Sequence, residues 1–136
     1  MIKSITQKDN YGCGITCVAF VCKVSYGYAK KNYFNKPHNA TTLGYLCKDI
    51  VKALSKAKRD YYYKYVKREI RFKENTIVFI KRSEKYPAGH YLVRTKNGWM
   101  DPWINFNKLK PDIKKAKSGF RKRLPGRAVY AIMPNS

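Results

Sequence analysis

The sequence predicts an α+β domain in which an N-terminal helical part packs on an antiparallel β-sheet. Apolar residues recur at helical spacing in the first half of the chain, whereas short β-branched and alternating runs begin at Thr76. The dipeptide Asn97-Gly98 separates two of these runs and favours a hairpin, in which neighbouring strands are antiparallel. The chain has 136 residues without a repeat or a linker, so residues 1–136 are predicted to form one domain.

Two helices are predicted before the strands. The run over 13–23, CGITCVAFVCK, is apolar on nearly every side, which is typical of a buried central helix. Thr41 or Thr42 is a candidate N-cap of a second, amphipathic helix. Its apolar side chains fall at helical spacing and are Leu43, Leu46, Cys47, Ile50 and Leu54. The segment 60–72, DYYYKYVKREIRF, combines strand-forming aromatics with helix-forming charged residues, so its structure stays open.

Four runs in the second half have the composition of strands. They are TIVFI at 76–80, HYLVRT at 90–95, a short piece at Trp99 and Met100, and AVYAIM at 128–133. The stretch 107–127, NKLKPDIKKAKSGFRKRLPGR, precedes the last run. We expect this basic connection to cover an edge or a face of the sheet as loop and short helix.

The composition is strongly basic. Lys and Arg number 30 against 8 Asp and Glu, a formal net charge of +22, and such a surface attracts nucleic acid, anionic membranes or acidic proteins. No apolar run approaches the roughly 18 residues of a membrane span, and MIKSITQKDN lacks the apolar core of a signal peptide. We therefore expect a cytoplasmic protein with no membrane span, whose four cysteines are thiols. No cofactor is expected, and the cysteine spacing does not suit zinc.

Cys13 is the candidate nucleophile. A thiol reacts as its thiolate, and a helix N-terminus or a neighbouring imidazolium commonly lowers a thiol pKa. Cys13 lies where the central helix is predicted to begin, and the flanking Gly12 and Gly14 leave room for a substrate carbonyl. The alternative is a small side chain packed inside a helix, which is our interpretation of Cys17 and Cys22.

His90 and Asp101 are the candidate base and its partner. His90 follows Gly89 at the start of a predicted strand, whereas His38, the other histidine, lies in a Pro/Asn turn that fixes no side chain. The predicted hairpin brings Asp101 beside His90, where a carboxylate orients an imidazole. Taken alone, an Asp before Pro102 is more typical of a turn, and a lone histidine beside a strand is more often structural.

Short motifs in the chain resemble one peptidase family. The run QKDNYGCGITCVA at 7–19 is similar to the opening of the bacteriocin-leader-processing (double-glycine) peptidases, which reads Q-x-D-x-x-D-C-G-x-A-C-L-A. These are papain-like domains at the front of certain ABC exporters. The runs GHYLV at 89–93 and WMDP at 99–102 similarly resemble that family's G-H-[FY]-x-V and its later D-P. Two positions depart from the pattern: Gly12 stands where an acidic residue is usual, and Thr16 where alanine is usual.

The resemblance implies a stand-alone, papain-like cysteine peptidase. It implies that Cys13 is the nucleophile at the start of the central helix, His90 the base and Asp101 its partner. It also implies that Gln7 is the oxyanion-hole glutamine, whose amide acts together with the Cys13 backbone N–H. The implied substrate is a peptide or protein cleaved after paired glycines. The same triad also serves amidases, deamidases and transglutaminases.

A basic binding module without catalysis is the alternative interpretation. The stretch 56–73 interleaves tyrosines and Phe72 with Lys and Arg, a pattern that suits stacked bases and bound phosphates. The same tyrosines are compatible with a core edge beside solvated lysines, and no RNP or helix-turn-helix motif accompanies them. A third interpretation joins the two: a hydrolase whose basic surface recruits an acidic protein or a nucleic-acid-bound target.

Overall fold

The computed structural model describes residues 2–68, 70–81, 89–107 and 109–135. Within them, three helices precede a six-stranded antiparallel sheet, which confirms the predicted α+β class. The helices are α1 (Cys13–Cys22), α2 (Tyr26–Asn32) and α3 (Cys47–Lys56). The strands are β1 (Tyr61–Tyr65), β2 (Ile77–Lys81), β3 (Gly89–Arg94), β4 (Trp99–Asp101), β5 (Gly119–Arg121) and β6 (Arg127–Pro134). Two 3₁₀ turns, Pro37–Thr41 and Ile113–Lys115, lie in connections.

The strands lie in the order β1-β6-β2-β3-β4-β5, and every neighbouring pair is antiparallel. The last strand therefore inserts between the first two, where it pairs with β1 on one side and with β2 on the other. The predicted hairpin around Asn97-Gly98 is present as the β3–β4 pair, in which Arg94 lies opposite Trp99. The hairpin loop has four residues, and Thr95 N–H closes it by donating to Gly98 O at 2.8 Å.

Helix α1 is the buried centre of the helical layer, as predicted. Ile15, Cys17, Val18 and Ala19 have no accessible surface, and the helix packs against β3, α2 and α3. It ends at Lys23, which adopts a left-handed conformation with φ 59° and caps the last turn with its backbone N–H. Burial on all sides explains why this helix is apolar without a polar face.

The sheet separates two apolar clusters because side chains alternate between its faces. The helices cover the face that carries Ile77, Val93, Met100 and Ile132. The opposite face carries Val78, Ile80, Leu92, Trp99 and Ala131, and the side chains that pack against it include Phe72 and Leu124. The two faces thus have different covers, helices on one side and irregular segments on the other.

The predicted start of the second helix is wrong. Thr41 ends a 3₁₀ turn and Thr42 follows it, whereas α3 begins at Cys47. The side chain of Asp49 accepts from Leu46 N–H at 3.0 Å and caps the helix there. Leu43, predicted to lie on the buried face, is 80% exposed because it precedes the helix.

Two further elements are absent from the sequence prediction. The short helix α2 begins after Ser25, whose hydroxyl accepts from Tyr28 N–H at 3.1 Å. The basic connection contributes strand β5, which pairs with β4 at the edge of the sheet, in addition to its short 3₁₀ turn. The segment left open from the sequence forms β1 in its first part, Tyr61–Tyr65.

None of the helices in the described ranges is long and apolar enough to cross a bilayer.

Candidate active site

Cys13 is the first residue of α1 and is half-buried. The first N–H groups of a helix have no carbonyl acceptor within the helix, so this end of α1 carries partial positive charge. The preceding residue, Gly12, is the N-cap and has φ −91°, a conformation open to any residue. Cys13 therefore lies at the start of the central helix, as predicted.

The two glycines beside Cys13 have a packing role rather than the open approach expected from the sequence. A Cβ at Gly12 would stand 2.1 Å from the Tyr26 hydroxyl, and one at Gly14 would stand 2.6 Å from Ile50 Cδ1. Both distances are far below van der Waals contact, so these positions accept only glycine without rearrangement. The Tyr26 hydroxyl therefore occupies the space that any side chain at position 12 would need.

The β3–β4 hairpin brings His90 and Asp101 together. His90 Nε2 lies 2.7 Å from Asp101 Oδ1, and the two side chains are 4% and 0% exposed. Val93 pairs with Met100, so the same register extended by one step sets Asp101 opposite Leu92. His90 lies two residues from Leu92 on the same face, which makes it a diagonal neighbour of Asp101. The predicted pairing of the two residues is therefore present, and hairpin register produces it.

The Asp101 carboxylate is held by three donors. Oδ1 also accepts from Trp103 N–H at 2.9 Å, and Oδ2 accepts from Arg121 Nε at 2.7 Å. Burial alone would raise the pKa of this carboxyl, but hydrogen bonds and charge from His90, Arg121 and the Trp103 N–H outweigh it. The pKa of Asp101 is held well below its usual value, so the residue is a carboxylate throughout the physiological range.

His90 contacts both Asp101 and Cys13. Burial tends to lower the pKa of the imidazole, but the hydrogen bonds to Asp101 and to the Cys13 side chain raise it above its ordinary value. Because Nε2 is engaged with Asp101, we assign the hydrogen bond with the Cys13 side chain to the other ring nitrogen, Nδ1. Cys13, His90 and Asp101 thus form a continuous chain of contacts in the order expected for nucleophile, base and orienting carboxylate.

The other three cysteines have a different environment. Cys17 has no accessible surface, and burial raises the pKa of its thiol well above the usual value. Burial also raises the thiol pKa of Cys47 and of the half-buried Cys22. All four cysteines are free thiols. Cys13 is therefore the one that combines partial exposure with a histidine partner.

Gln7, the predicted oxyanion-hole residue, is buried and donates its side-chain amide hydrogens to backbone oxygens. Its Nε2 donates to Asp9 O at 3.0 Å and to Asn10 O at 3.3 Å, while the buried Oε1 has no partner within the described part of the chain. Its backbone N–H donates to Pro102 O at 3.2 Å. In this arrangement Gln7 braces the loop before Cys13 and ties it to the residue after Asp101.

A second set of contacts fixes that loop. Asp9 Oδ2 accepts from the Tyr26 hydroxyl at 2.5 Å and from Lys30 Nζ at 2.9 Å. Burial works to raise the pKa of Asp9, but these two donors lower it overall. Gly12 N–H donates to Asp9 O at 3.0 Å. Helix α2, which supplies Tyr26 and Lys30, therefore holds the segment that leads into Cys13.

A cleft of about 780 Å³ contains Cys13, His90 and Gln7 in its lining. Its walls are largely aromatic, with Tyr45, Phe79, Tyr91, Trp103 and Phe106 among them. Gly89 is required here, because a Cβ at that position would stand 1.8 Å from the Phe79 ring. A cavity of this size and composition suits a short stretch of extended peptide.

Arg121 is the site residue that the sequence did not reveal. It lies in β5, where Trp99 pairs with it, and its Nη2 also donates to Ile104 O at 3.0 Å. In the sequence it is one of several basic residues in the run FRKR at 120–123. Only the pairing of β5 with β4, a long-range contact, distinguishes it from its neighbours.

His38 does not line the cleft that contains Cys13. His38 lies exposed in the 3₁₀ turn Pro37–Thr41, as its Pro/Asn context suggests. Across the described ranges there is no group of three or more His, Cys, Asp or Glu side chains suited to a metal ion.

Comparisons of the chain with protein-family models, with curated proteins and with solved structures give no match.

Proposed function

We propose that this chain is a papain-like cysteine hydrolase that cleaves peptide bonds, with Cys13 as nucleophile, His90 as acid and base, and Asp101 as the orienting carboxylate. The observation that carries the proposal is the buried His90–Asp101 pair whose other ring nitrogen faces a half-buried thiol at a helix N-terminus. A structural histidine does not require this combination. A hydrolase that attacks a carbonyl with a thiolate does.

The proposed reaction is acyl transfer in two halves. The Cys13 Sγ thiolate attacks the carbonyl carbon, the C–N bond breaks, and His90 Nδ1–H gives its proton to the leaving amine. Water then attacks the thioester while Nδ1 takes one of its protons. The C–S bond breaks, which releases the carboxylic acid and regenerates the Cys13 thiolate beside a protonated Nδ1. Asp101 accepts from Nε2–H throughout and so keeps the ring in the orientation that presents Nδ1 to sulfur.

The oxyanion requires donors at the helix end. The backbone N–H of Cys13 belongs to the first turn of α1, where charge that develops on the substrate oxygen is favoured by the helix dipole. Gln7 lines the same cleft as Cys13, and its amide would share in this role after it turns. The turn exchanges its longer bond, 3.3 Å to Asn10 O, for a bond to a negatively charged oxygen, which is a stronger acceptor.

The cleft supports a peptide substrate in an extended conformation. Its aromatic walls provide apolar contact, and Lys48 and Lys52 among its lining residues favour acidic side chains on the substrate. The sequence resemblance adds cleavage after paired glycines as the expected specificity. Acidic peptides that contain a Gly-Gly pair are therefore the first substrates to examine.

The test begins with the thiol. Brief iodoacetamide treatment at about pH 6, where an ordinary thiol is almost entirely protonated, should label Cys13 and leave Cys17, Cys22 and Cys47 unmodified in mass spectra. His90→Ala should abolish this selectivity. Cys22→Ala is the matched control, because it removes another half-buried thiol and should leave Cys13 labelling unchanged.

Hydrolysis is tested with a peptide library that includes Gly-Gly sequences. We expect wild-type chain and Cys22→Ala to release new amino termini, and Cys13→Ala to release none. Equal labelling of all four cysteines, together with no cleavage in the library, would overturn the proposal.

A further inference from the structure

A second cleft, of about 850 Å³, lies on the sheet face that the helices leave uncovered. Most of its lining comes from three parts of the chain: residues 65–68 and 70–72 at the end of β1 and after it, residues 122–124 after β5, and residues 126–129 at the start of β6. Trp99 and Phe72, whose rings pack edge to face at 5.8 Å, contribute to its lining. It shares no lining residue with the cleft that contains Cys13.

The lining of this cleft is densely cationic. Five arginines and two lysines contribute to it, the arginines being Arg68, Arg71, Arg94, Arg123 and Arg127. Among the described residues, no carboxylate lines the cleft. The cations that form ion pairs in the described part of the chain include Lys30, His90 and Arg121, and these three residues lie outside the cleft. Glu69 falls within the same stretch of sequence but outside the described residues. So many like charges in one concave surface create a strong positive potential.

We propose that this cleft binds the phosphate backbone of a single-stranded nucleic acid. The proposal is independent of the hydrolase site. Arginine predominates over lysine here, and its planar guanidinium donates two parallel hydrogen bonds to one phosphate. Arg94 extends over the Trp99 ring, 5.5 Å from its centroid, and donates to Gly98 O at 2.9 Å, so its guanidinium is held in place.

Strand β1 extends the cleft into a track suited to a polymer. Val66 lines the cleft, and the two positions before it on the same face, Lys64 and Tyr62, pair with Ala131 and Met133 of the second cluster. Lys64 is exposed and Tyr62 is 41% exposed. At the usual strand rise, these positions lengthen the binding surface by about 13 Å. Lys64 contributes one cation, and Tyr62 contributes one ring on which a base stacks.

The shape of the cleft favours nucleic acid over the other anionic partners. The cations belong to a concave surface that also includes Trp99, which is 6% exposed, whereas a bilayer presents a flat surface. An acidic peptide offers carboxylates to the guanidinium groups, but its side chains do not use the exposed Tyr62 ring as a base does. A phosphate backbone with unpaired bases uses both features.

The experiment measures fluorescence anisotropy of a labelled single-stranded oligonucleotide over a salt series. The cleft variant carries Arg71→Gln, Arg123→Gln and Arg127→Gln. The control variant removes the same number of charges from exposed lysines elsewhere, as Lys3→Gln, Lys8→Gln and Lys31→Gln. Far-UV circular dichroism and thermal melting establish that each variant is folded.

We expect the cleft variant to bind at least tenfold more weakly, and the slope of log affinity against log salt to become shallower by about two, since each lost phosphate contact contributes about 0.7. The control variant should stay within about threefold of wild type. Tyr62→Ala should weaken binding about five- to a hundredfold, the usual range for one stacked base, and Tyr62→Phe should not.

Three results would overturn the proposal. One is an equal loss in the cleft and control variants, which would assign binding to diffuse charge. Another is displacement of the oligonucleotide by an acidic peptide at an equal concentration of negative charge, which would assign the cleft to protein partners. The third is absence of oligonucleotide binding at low salt, whether or not the chain binds vesicles of anionic lipid.

Discussion

The carboxylate of Asp101 lies between an imidazole and a guanidinium, with His90 Nε2 2.7 Å from one oxygen and Arg121 Nε 2.7 Å from the other. The carboxylate has no accessible surface, whereas the Arg121 side chain is 28% exposed. Arg121 therefore connects the buried pair to the surface and shares the negative charge that His90 needs. The stability and the pH behaviour of the site both follow from this arrangement.

The first prediction concerns acid stability. The pKa of Asp101 is lower in the folded protein than in the unfolded chain, so the unfolded state binds more protons as the pH falls. The stability that this carboxylate contributes is complete above its unfolded pKa of about 3.9 and is lost as the pH falls towards the folded pKa. Asp101→Asn should be less stable than wild type at neutral pH, and the difference should shrink below about pH 4.

Urea unfolding followed by fluorescence at several pH values measures this difference. Asp112→Asn is the matched control, because that exposed carboxylate caps only a 3₁₀ turn. A constant difference between Asp101→Asn and wild type from neutral pH to about pH 3 would contradict the argument, since it would mean that the Asp101 pKa is not lowered on folding.

The second prediction concerns Arg121 as a positioning residue. Removal of its charge leaves the Asp101 carboxylate acting on His90 alone, which raises the pKa of the imidazole further. Arg121→Ala should therefore move the alkaline limb of Cys13 alkylation, where the imidazolium loses its proton, to higher pH. It should also destabilise the fold by about 1–3 kcal/mol, the usual cost of a lost hydrogen bond to a buried charge.

Arg121→Lys separates charge from simple structure. Lysine keeps the cation but not the second bond, from Nη2 to Ile104 O, so stability should fall while the alkaline limb stays near its wild-type position. The measurement is the rate of iodoacetamide labelling across the pH range. If Arg121 has only a structural role, both variants should have a lower melting temperature, and the alkaline limb of Cys13 labelling should stay at the wild-type pH in both.

The third prediction concerns Gly89. An added Cβ would meet the Phe79 ring at 1.8 Å, so Gly89→Ala should destabilise the protein by about 1–3 kcal/mol, as overpacking does. Gly27 in α2 has nothing within 4 Å of an added Cβ, and Gly27→Ala should stabilise by up to about 1 kcal/mol. Chemical unfolding of the two variants gives the comparison.

Phe79→Leu in the Gly89→Ala background provides the further check. A smaller side chain at position 79 relieves the contact, so the double variant should recover part of the lost stability. If the two substitutions are simply additive, the strain does not arise from the Phe79 ring.

The features predicted correctly from sequence have strong local patterns. The ten-residue run Cys13–Cys22 is apolar apart from Thr16 and forms a buried helix, because no polar face competes for solvent. The β3–β4 hairpin follows from two strand-forming runs around Asn97-Gly98. Since the hairpin register alone makes His90 and Asp101 neighbours, the central pair of the candidate site was accessible from sequence.

The features that the sequence did not predict depend on contacts between residues far apart in the chain, or on segments too short to show a periodic pattern. Arg121 reaches Asp101 only because β5 adds to the edge of β4, and nothing local in the basic connection specifies that pairing. Helix α2 has seven residues, too few for a periodic pattern, although serine, the residue type at its N-cap Ser25, is common at that position. The role of Gly12 required the position of the Tyr26 ring, which lies on a different helix.

The last prediction separates two roles of Gln7. As a brace, it donates to Asp9 O and Asn10 O; as an oxyanion donor, it would turn towards the substrate during attack. Gln7→Ala should lower peptide turnover by about 10²–10³, the usual effect of one lost oxyanion donor. The same variant should retain rapid labelling of Cys13 by iodoacetamide, because displacement of iodide from a saturated carbon develops no oxyanion.

Asp9→Asn is the control for loop disruption without loss of the amide. It weakens the contacts of Asp9 with Tyr26 and Lys30, and so should lower stability while turnover falls less than about tenfold. Turnover and labelling are measured for both variants on the same preparations. If Gln7→Ala slows labelling and turnover equally, or slows turnover no more than Asp9→Asn does, Gln7 acts as a brace alone, and the oxyanion is stabilised by the end of α1.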